Sequence, residues 1–242
     1  MQQASANART RDLATPDSAS QEDVFESLLN DRFSCRSYLE REVPREVIER
    51  ILSIAQRTAS WCNSQPWQVL LTRGEATERF RKGMVEYVAS QSADPDFEFP
   101  AKYAGVYLDR RRECGLQLYE AVGITRGDRE GSQRQAMKNF ELFGAPHLAI
   151  ITTEADLGVY GAVDCGAYVS NFLLAARSCG VDSIPQAALA GYSPFIRQFF
   201  DIPEHRRVVC GISFGYRNPD HPANQFRTSR AKVEDTAFWF ES

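Results

Sequence analysis

Apolar positions recur at helical spacing in two early segments of the chain, which predicts two amphipathic helices. In the first, Ser20 and Asp23 have the form of a helix N-cap pair, and apolar residues follow up to Asp31. In the second, Pro44 suits the first turn, and the apolar positions between 47 and 55 share one face. We expect the first helix to deliver the chain to Arg32, and the second to stop near residues 58–60.

Apolar runs of strand length occur at residues 67–72, 147–152 and 207–216. Between the last two runs, residues 159–179 are apolar on nearly every side of a helical wheel, which predicts a buried helix. Because a single domain rarely surrounds one helix completely, we expect a subunit interface along this helix.

Helices outnumber strands in the predicted pattern. Residues 75–90 and 103–141 look helical, and a break containing Pro and Asp separates them at residues 93–100. The strands do not alternate regularly with helices, so the pattern favours an α+β fold over a doubly wound sheet. Residues 1–20 are small and polar, which predicts a flexible N-terminal arm, and residues 21–242 are expected to form a single domain.

Composition and charge exclude several classes of protein. The chain has 242 residues, of which 43% are hydrophobic and 25% are charged, as in ordinary globular proteins. With 28 Lys and Arg against 32 Asp and Glu, the net charge of −4 provides no positive field for nucleic acid. No apolar run approaches the roughly 18 residues that span a bilayer, and the first residues lack the apolar core of a signal peptide. We therefore expect no membrane partner and a cytoplasmic location.

Familiar catalytic and metal-binding motifs do not occur in the sequence. The six cysteines form no C-x-x-C pair, and the three histidines have no second ligand nearby, so we expect free thiols and no metal site. A dinucleotide fingerprint after a strand, a P-loop and a G-x-S-x-G elbow are all missing. The sequence thus offers no side chain as an obvious catalytic nucleophile.

What remains is a set of polar turns, of which the segment R-x-S-x-R is the most informative. Arg32, Ser34 and Arg36 alternate, so an extended backbone would point all three to one side. Two guanidinium groups flanking a hydroxyl make a suitable anion cradle. An ordinary solvated loop rich in Arg is the alternative.

Three further turns carry candidate chemistry. Residues 60–67 offer amide donors and acceptors for the edge of a planar heterocycle, and tryptophan faces for stacking or core packing. Residues 180–188 are small enough for backbone amides to approach a ligand, and residues 226–230 supply two more arginines. Each of these turns taken alone is typical of a simple loop.

Together and in this order, these segments resemble the FMN-dependent nitroreductase family. The resemblance lies in R-x-S-x-R, in N-x-Q-P-W at residues 63–67, in residues 171–174, in the turn at 180–188, and in the late strand followed by Arg230. It covers roughly residues 22–87 and 143–230. It implies a mainly antiparallel sheet wrapped by helices, in an interlocked homodimer that holds two FMN molecules at its interface.

The activity that the resemblance implies needs no catalytic side chain. The flavin N5 atom carries the chemistry: NADH or NADPH donates a hydride there, and a nitroaromatic or quinone-like acceptor then takes it in a ping-pong cycle. The implied partners are thus a second subunit and a small aromatic acceptor.

The resemblance also implies which residues bind the cofactor. Arg32 and Arg230 are assigned to the FMN phosphate, and Ser34 to the phosphate or ribityl chain. Arg36 is assigned to the pyrimidine edge of the ring, and residues 185–187 to the ring, with a backbone amide near N5. The full set of FMN-binding candidates is Arg32, Phe33, Ser34, Arg36, Ser60, Asn63, Gln65, Pro185, Gln186, Ala187, Arg227 and Arg230.

Departures from the family pattern concern the substrate side. Phe33 stands where a basic or polar residue is frequent, so only its backbone is expected to contribute. The bulky Trp61 follows Ser60 where a small residue is common, and Trp61 and Cys62 are the substrate-binding candidates. Trp61 forms either a stacking wall for a flat acceptor or a plug in the dimer interface. Residues 110–112, three arginines, either attract an anionic substrate or line a solvated helix face.

Other functions stay open on the same scaffold. Reductive dehalogenation, enone reduction and flavin fragmentation are the alternative chemistries, and residues 93–141 are a candidate lid for a dehalogenase. A flavin-binding module without turnover is the alternative from another class; it predicts bound FMN that neither nicotinamide reduces.

Overall fold

Four antiparallel strands form the centre of this computed structural model, which describes residues 20–241. The strands are β1 (Gln68–Thr72), β2 (His147–Glu154), β3 (Asp182–Gln186) and β4 (Arg206–Gly215), in the order β1-β2-β4-β3. The predicted α+β class with an antiparallel sheet is confirmed. The predicted N-terminal arm, apart from Ser20, lies outside the described residues.

Helices cover both faces of the sheet. In chain order they are α1 (Gln21–Asp31), α2 (Arg45–Ala55), α3 (Glu75–Ser90), α4 (Gly105–Ala121), α5 (Arg129–Met137), α6 (Gly158–Ser178), α7 (Ala187–Ala190) and α8 (Ser193–Phe200). On one face, α2 and α6 bury Ile51, Tyr168 and Phe172. On the other, Phe80 and Met84 of α3 pack with Ile196 of α8. None of these helices combines the length and the hydropathy needed to cross a lipid bilayer.

The two predicted N-terminal helices form with small differences. The Ser20 hydroxyl accepts a hydrogen bond from the Asp23 backbone at 3.0 Å, and the Asp23 carboxylate accepts the Ser20 amide at 3.1 Å, which completes the capping box. Helix α2 ends at Ala55, earlier than expected. There Thr58 donates both its amide and its hydroxyl to the Ala55 carbonyl and closes the helix.

Helix α6 is buried on one side only within a single chain, so the predicted burial of its other side would require the subunit interface expected from the sequence. Cys165, Tyr168 and Phe172 face the core, whereas Val159 and Val163 are 69% and 59% exposed. An exposed apolar face on an otherwise buried helix is typical of an interface with another chain.

Residues 180–188 form an edge strand followed by a short helix rather than a turn. Strand β3 contains Pro185, which has no amide hydrogen to donate and is therefore tolerated at a sheet edge. The proline and the short length hide the strand pattern in the sequence.

Residues 103–141 form two helices rather than one. The connection between α4 and α5 contains Gly123 and Gly127, both at positive φ (72° and 94°), where a helix cannot continue. The preceding segment, residues 93–100, is fastened to the body of the fold, because the Asp96 carboxylate accepts bonds from Arg197 (2.7 Å) and from the Val208 amide (2.6 Å).

Candidate functional site

Two segments far apart in sequence enclose a cavity of about 510 Å³. We call residues 32–36 the first arm and residues 226–230 the second arm. Among the described residues that line the cavity, none is acidic. The lining residues are Leu29, Asn30, Arg32, Phe33, Ser34, Arg36, Cys114, Phe226, Arg227, Thr228 and Arg230. The structure thus brings together the arginines that the sequence places nearly 200 positions apart.

The first arm is extended and lies beside strand β3. Arg32 caps the C-terminus of α1 with φ −74° and ψ 126°, so the chain leaves the helix in an extended conformation. Ser34 forms a parallel bridge with Ser183, and the Cys35 amide donates to the Ser183 carbonyl at 3.2 Å. As expected from the sequence, Arg32, Ser34 and Arg36 all line the cavity while Cys35 is buried, although Phe33 lines the cavity as well.

The second arm follows a short 3₁₀ turn at Pro222–Asn224. The Arg227 guanidinium donates to the carbonyls of Asn224 and Phe226, both at 2.9 Å. The Arg230 guanidinium donates to the Thr228 hydroxyl at 2.8 Å. Both guanidinium groups are therefore held by their own segment at the wall of the cavity.

Burial is the main influence on the pKa values of the cavity arginines, and neighbouring positive charge adds to it at two of them. Burial, followed by the charge of Arg230, lowers the pKa of Arg32, and burial lowers the pKa of Arg36. Burial and the neighbouring Arg217 lower the pKa of Arg227. Arginine nevertheless stays protonated in proteins, so the cavity is cationic and suits a phosphate or a similar anion.

The Phe33 side chain contacts a cavity arginine, whereas the sequence analysis expected only the Phe33 backbone to contribute to the site. The Arg227 guanidinium lies 3.9 Å from the centroid of the Phe33 ring, and that of Arg217 lies 5.8 Å from it. These are cation–π distances. The buried ring therefore supports one of the cavity arginines.

Asn224 is a second residue that sequence reasoning missed. It is buried, its side-chain oxygen accepts the Arg36 amide at 2.8 Å, and its side-chain nitrogen donates to the carbonyls of Ser37 and Asn218, both at 2.9 Å. Arg36 and Asn224 are 188 positions apart, so no local pattern could have signalled the contact.

The first arm lies beside the start of β3, where Ser34 forms its bridge with Ser183, and residues 185–187 follow at the other end of the strand. The Gln186 side chain is buried: it accepts the Ser213 hydroxyl and donates to the Asn139 carbonyl at 2.8 Å. Both the oxygen and the nitrogen of the Gln186 side chain are thus hydrogen-bonded within the protein. Pro185 is half-buried and Ala187, which begins α7, is exposed, but none of residues 185–187 is among those that line the cavity.

The loop at residues 60–65 does not reach this cavity in the same chain. It precedes β1, which lies at the sheet edge opposite β3. Three strand spacings of about 4.8 Å separate the two edges by about 14 Å. The predicted cofactor residues therefore fall into three groups within one chain: those that line the cavity, residues 185–187 outside its lining, and Ser60, Asn63 and Gln65 on the loop.

The loop has a strained conformation that its own hydrogen bonds maintain. Cys62, Asn63 and Gln65 have φ values of 51°, 55° and 48°, in the left-handed region. The Ser60 hydroxyl accepts the Gln65 amide at 2.9 Å, and the Gln65 side chain donates to Asn63 at 3.2 Å. Backbone strain of this kind is concentrated at functional sites.

Trp61 joins the loop to the exposed face of α6. Its amide donates to the Asp164 carboxylate at 3.1 Å, and its ring packs edge-to-face on Tyr160 with centroids 4.6 Å apart. The Trp61 side chain is 62% exposed. Trp67, in contrast, is buried and stacks on Tyr168. Trp61 therefore extends the apolar surface of Val159 and Val163, and both interpretations of its role stay open.

Other candidate chemistry is sparse. Arg110, Arg111 and Arg112 are exposed on α4; Arg111 packs over Tyr103 at 5.1 Å, and Arg110 lines a hollow beside Arg230. Between Ser20 and Glu241, no group of three or more Asp, Glu, His or Cys side chains could hold a metal ion.

Comparison with known proteins identifies the family. Residues 29–216 match the model described as "Nitroreductase family". The chain is 30% identical over 217 residues to a 4-nitrobenzoate reductase of Nocardioides sp. (strain LMS-CY), covering 88% of each chain. It is 32% identical over 214 residues to a chloronitrobenzene nitroreductase of Comamonas testosteroni, covering 87% of this chain and 94% of the relative.

A solved structure agrees with these matches. The FMN-dependent nitroreductase NfnB from Mycobacterium smegmatis, in complex with NADPH, superposes with a TM-score of 0.88 at 30% identity. The superposition covers 92% of this chain and all of that one. The resemblance read from the sequence is therefore confirmed.

Proposed function

The chain belongs to the nitroreductase family, and we propose that it is an FMN-dependent oxidoreductase that uses NADH or NADPH to reduce nitroaromatic or quinone-like acceptors. The observation that carries this proposal is the convergence of the first and second arms on one cationic cavity. The relatives described above, whose names refer to 4-nitrobenzoate, to chloronitrobenzene and to FMN, support it.

The residues present fit FMN. A volume of about 510 Å³ is within the usual range for a small-molecule site, roughly 300 to 1,000 Å³. The lining combines arginines with the Ser34 hydroxyl, which suits a phosphate, and none of its described residues carries an acidic side chain that would repel one. Phe226, Phe33 and Leu29 add apolar surface to the polar part of the wall.

We assign the residues of the two arms to different parts of FMN. Arg32 and Arg230 would hold the phosphate, together with Arg227, and Ser34 would bind the phosphate or the ribityl chain. Arg36, at the β3 side of the cavity, would lie at the pyrimidine edge, and the backbone at residues 185–187 would face the ring. When bound, FMN supplies a ring that accepts a hydride from the nicotinamide and passes it to the acceptor.

Arg36 has the main electrostatic role among this chain's residues. Its guanidinium is held by a bond to the Ser34 carbonyl at 3.2 Å, and it lies 5.9 Å from the Phe226 ring. A fixed positive charge at this position offsets negative charge at the pyrimidine edge of the ring. Because the group is already oriented, little reorganisation is needed when that charge appears.

We further propose that two copies of the chain form a homodimer that completes each site. Support comes from the exposed apolar face formed by Val159, Tyr160, Val163 and Trp61, which is the kind of surface that a second copy covers. The separation of residues 60–65 from the cavity adds to this. A loop contributed by the partner subunit would bring Ser60, Asn63 and Gln65 to the ring.

We also propose a cytoplasmic location. All six cysteines are free thiols, as expected in a reducing compartment.

For the acceptor, the names of the relatives favour nitroaromatic compounds.

Double-mixing stopped-flow spectroscopy tests the proposed function. Protein reconstituted with FMN is mixed anaerobically with NADPH or NADH, and then with 4-nitrobenzoate. We expect the flavin absorbance to bleach in the first step and to return in the second. Bound FMN that neither nicotinamide bleaches would contradict the proposal and favour a binding module. Bleaching without recovery would call for dehalogenase, enone-reductase and flavin-fragmentation substrates in place of the nitro compound.

A further inference from the structure

Four cationic side chains face one another across the cavity, and no described residue that lines it is acidic. Burial is the larger cause of the lowered pKa values of Arg32 and Arg227; the charge of Arg230 adds to it at Arg32, and that of Arg217, which lies outside the two arms, adds to it at Arg227. Mutual repulsion of this kind tends to drive the two arms apart. Holding the arginines ready for a phosphate therefore requires a restraint that adds no charge of its own.

Each arm is anchored differently to the rest of the fold. The first arm is fixed to β3 through the Ser34 bridge and the bond from the Cys35 amide to Ser183. The second arm follows β4 through residues 216–225, and it belongs to no strand or α-helix. Backbone bonds from the Leu39 amide to Tyr216 and from the Asn218 amide to Ser37 fasten the start of that connection, and the Ser229 hydroxyl ties the second arm to Glu113 of α4. Beyond residue 218, the link between the two arms consists of side-chain contacts, among them that of Arg227 with Phe33.

Asn224 supplies the hydrogen bonds among these contacts. Its side-chain oxygen takes the Arg36 amide, and its side-chain nitrogen is shared between the Ser37 and Asn218 carbonyls. Its own carbonyl accepts the Arg227 guanidinium at 2.9 Å. One buried neutral residue therefore connects the backbone of the first arm to a cation of the second.

We propose that Asn224 is a positioning residue that fixes the distance between the two arms, and that it sets the affinity of the site for the phosphate of FMN. The inference rests on the proposed function, because it takes FMN as the ligand. Asn224 has no direct contact with the ligand in this account. It acts by keeping Arg227 and Arg230 opposite Arg32 when no phosphate is bound.

The test compares FMN with riboflavin, which has the same ring but no phosphate. Dissociation constants are measured by fluorescence quenching for the wild-type protein and for Asn224→Ala. The first arm keeps its own anchor on β3, so contacts to the ring should survive the substitution. We expect the FMN dissociation constant to rise about tenfold or more and that of riboflavin by less than about threefold.

Asn218→Ala is the matched control. Asn218 is the same residue type beside the same turn, but its side chain only accepts the Asp220 amide at 3.1 Å, and the carbonyl that Asn224 uses is retained. We expect this variant to bind both flavins within about twofold of wild type.

The outcomes distinguish a failure of the proposed function from a failure of the positioning role of Asn224. If the wild-type protein binds no FMN, the proposed function fails. If wild-type protein binds FMN and Asn224→Ala weakens both flavins equally, or neither, the positioning role is overturned. Asn224→Ser, which keeps a small polar group, serves if the alanine variant does not fold. Failure of both variants to fold with saturating FMN would make Asn224 a purely structural residue and would also overturn the inference.

Discussion

The Arg227 guanidinium lies 3.9 Å from the centre of the Phe33 ring, so the two arms of the cavity contact each other through a cation and an aromatic face. Phe33 belongs to the first arm and Arg227 to the second. An aromatic residue thus restrains a cation that the phosphate of FMN would otherwise have to order on binding.

This contact predicts the effect of replacing Phe33. Phe33→Leu keeps much of the buried volume but loses the ring, and FMN binding should weaken about 2- to 10-fold, the range for a partly exposed cation–π contact. Fluorescence titration checks this. Phe33→Tyr keeps the aromatic face and should bind as wild type does. If the leucine and tyrosine variants behaved alike, the ring would have no part in holding Arg227.

The exposed face of α6 predicts a charge-sensitive dimer. Val163→Glu would bury a carboxylate in the proposed interface, so sedimentation velocity should show a monomer where the wild type is a dimer. FMN affinity should fall as well, because the loop at residues 60–65 would no longer reach the partner's cavity. Val163→Ala keeps the surface apolar and should remain dimeric. A dimer with intact FMN affinity in the glutamate variant would place the interface elsewhere.

The buried His147 predicts how stability depends on pH. Its Nε2 atom accepts the Val43 amide at 2.8 Å and its ring stacks on Phe214, and burial lowers its pKa below the ordinary value of 6.5. Below about pH 6.5 the unfolded state therefore takes up a proton first, and the free energy of unfolding falls as the pH falls. Above that pH the His147 side chain is neutral in both the folded and the unfolded state, and its contribution to the free energy of unfolding is fully present.

Denaturant unfolding between pH 5 and 7.5 measures this effect. For one proton the slope approaches about 1.4 kcal/mol per pH unit between the two pKa values. His147→Gln keeps an acceptor for Val43 and should lose this part of the slope. His221, whose pKa is also lowered, is retained in both proteins, so the difference reports on His147. Identical slopes would contradict the prediction.

Local patterns predicted most of the helices and three of the strands, because their signals lie within a few residues. The capping box at Ser20 and Asp23 and the bounds of α3 are examples. Strand β3 was missed because five residues containing Pro185 carry no alternation of their own. Its position is decided by β4, which pairs with it over its whole length.

The candidate site was predictable only as far as its residues share a recognisable motif. Arg32, Ser34 and Arg36 form such a motif, and the structure places all three at one cavity. Asn224 and the side chain of Phe33 act through partners almost 200 positions away, and such contacts leave no periodic trace in one sequence. The exposed face of α6 was predicted as buried because its apolar residues are compatible with either a core or a subunit interface.

The account depends most directly on Arg32 and Arg230 binding the phosphate of FMN. Dissociation constants of FMN and riboflavin, measured side by side for wild type, Arg32→Ala and Arg230→Ala, test this. Each variant should weaken FMN binding by about 1.5 to 3 kcal/mol, as for a lost hydrogen bond between charged groups, and leave riboflavin unchanged. Arg112→Ala, on the exposed surface of α4, should change neither constant. Unaltered FMN affinity in both cavity variants would contradict the account.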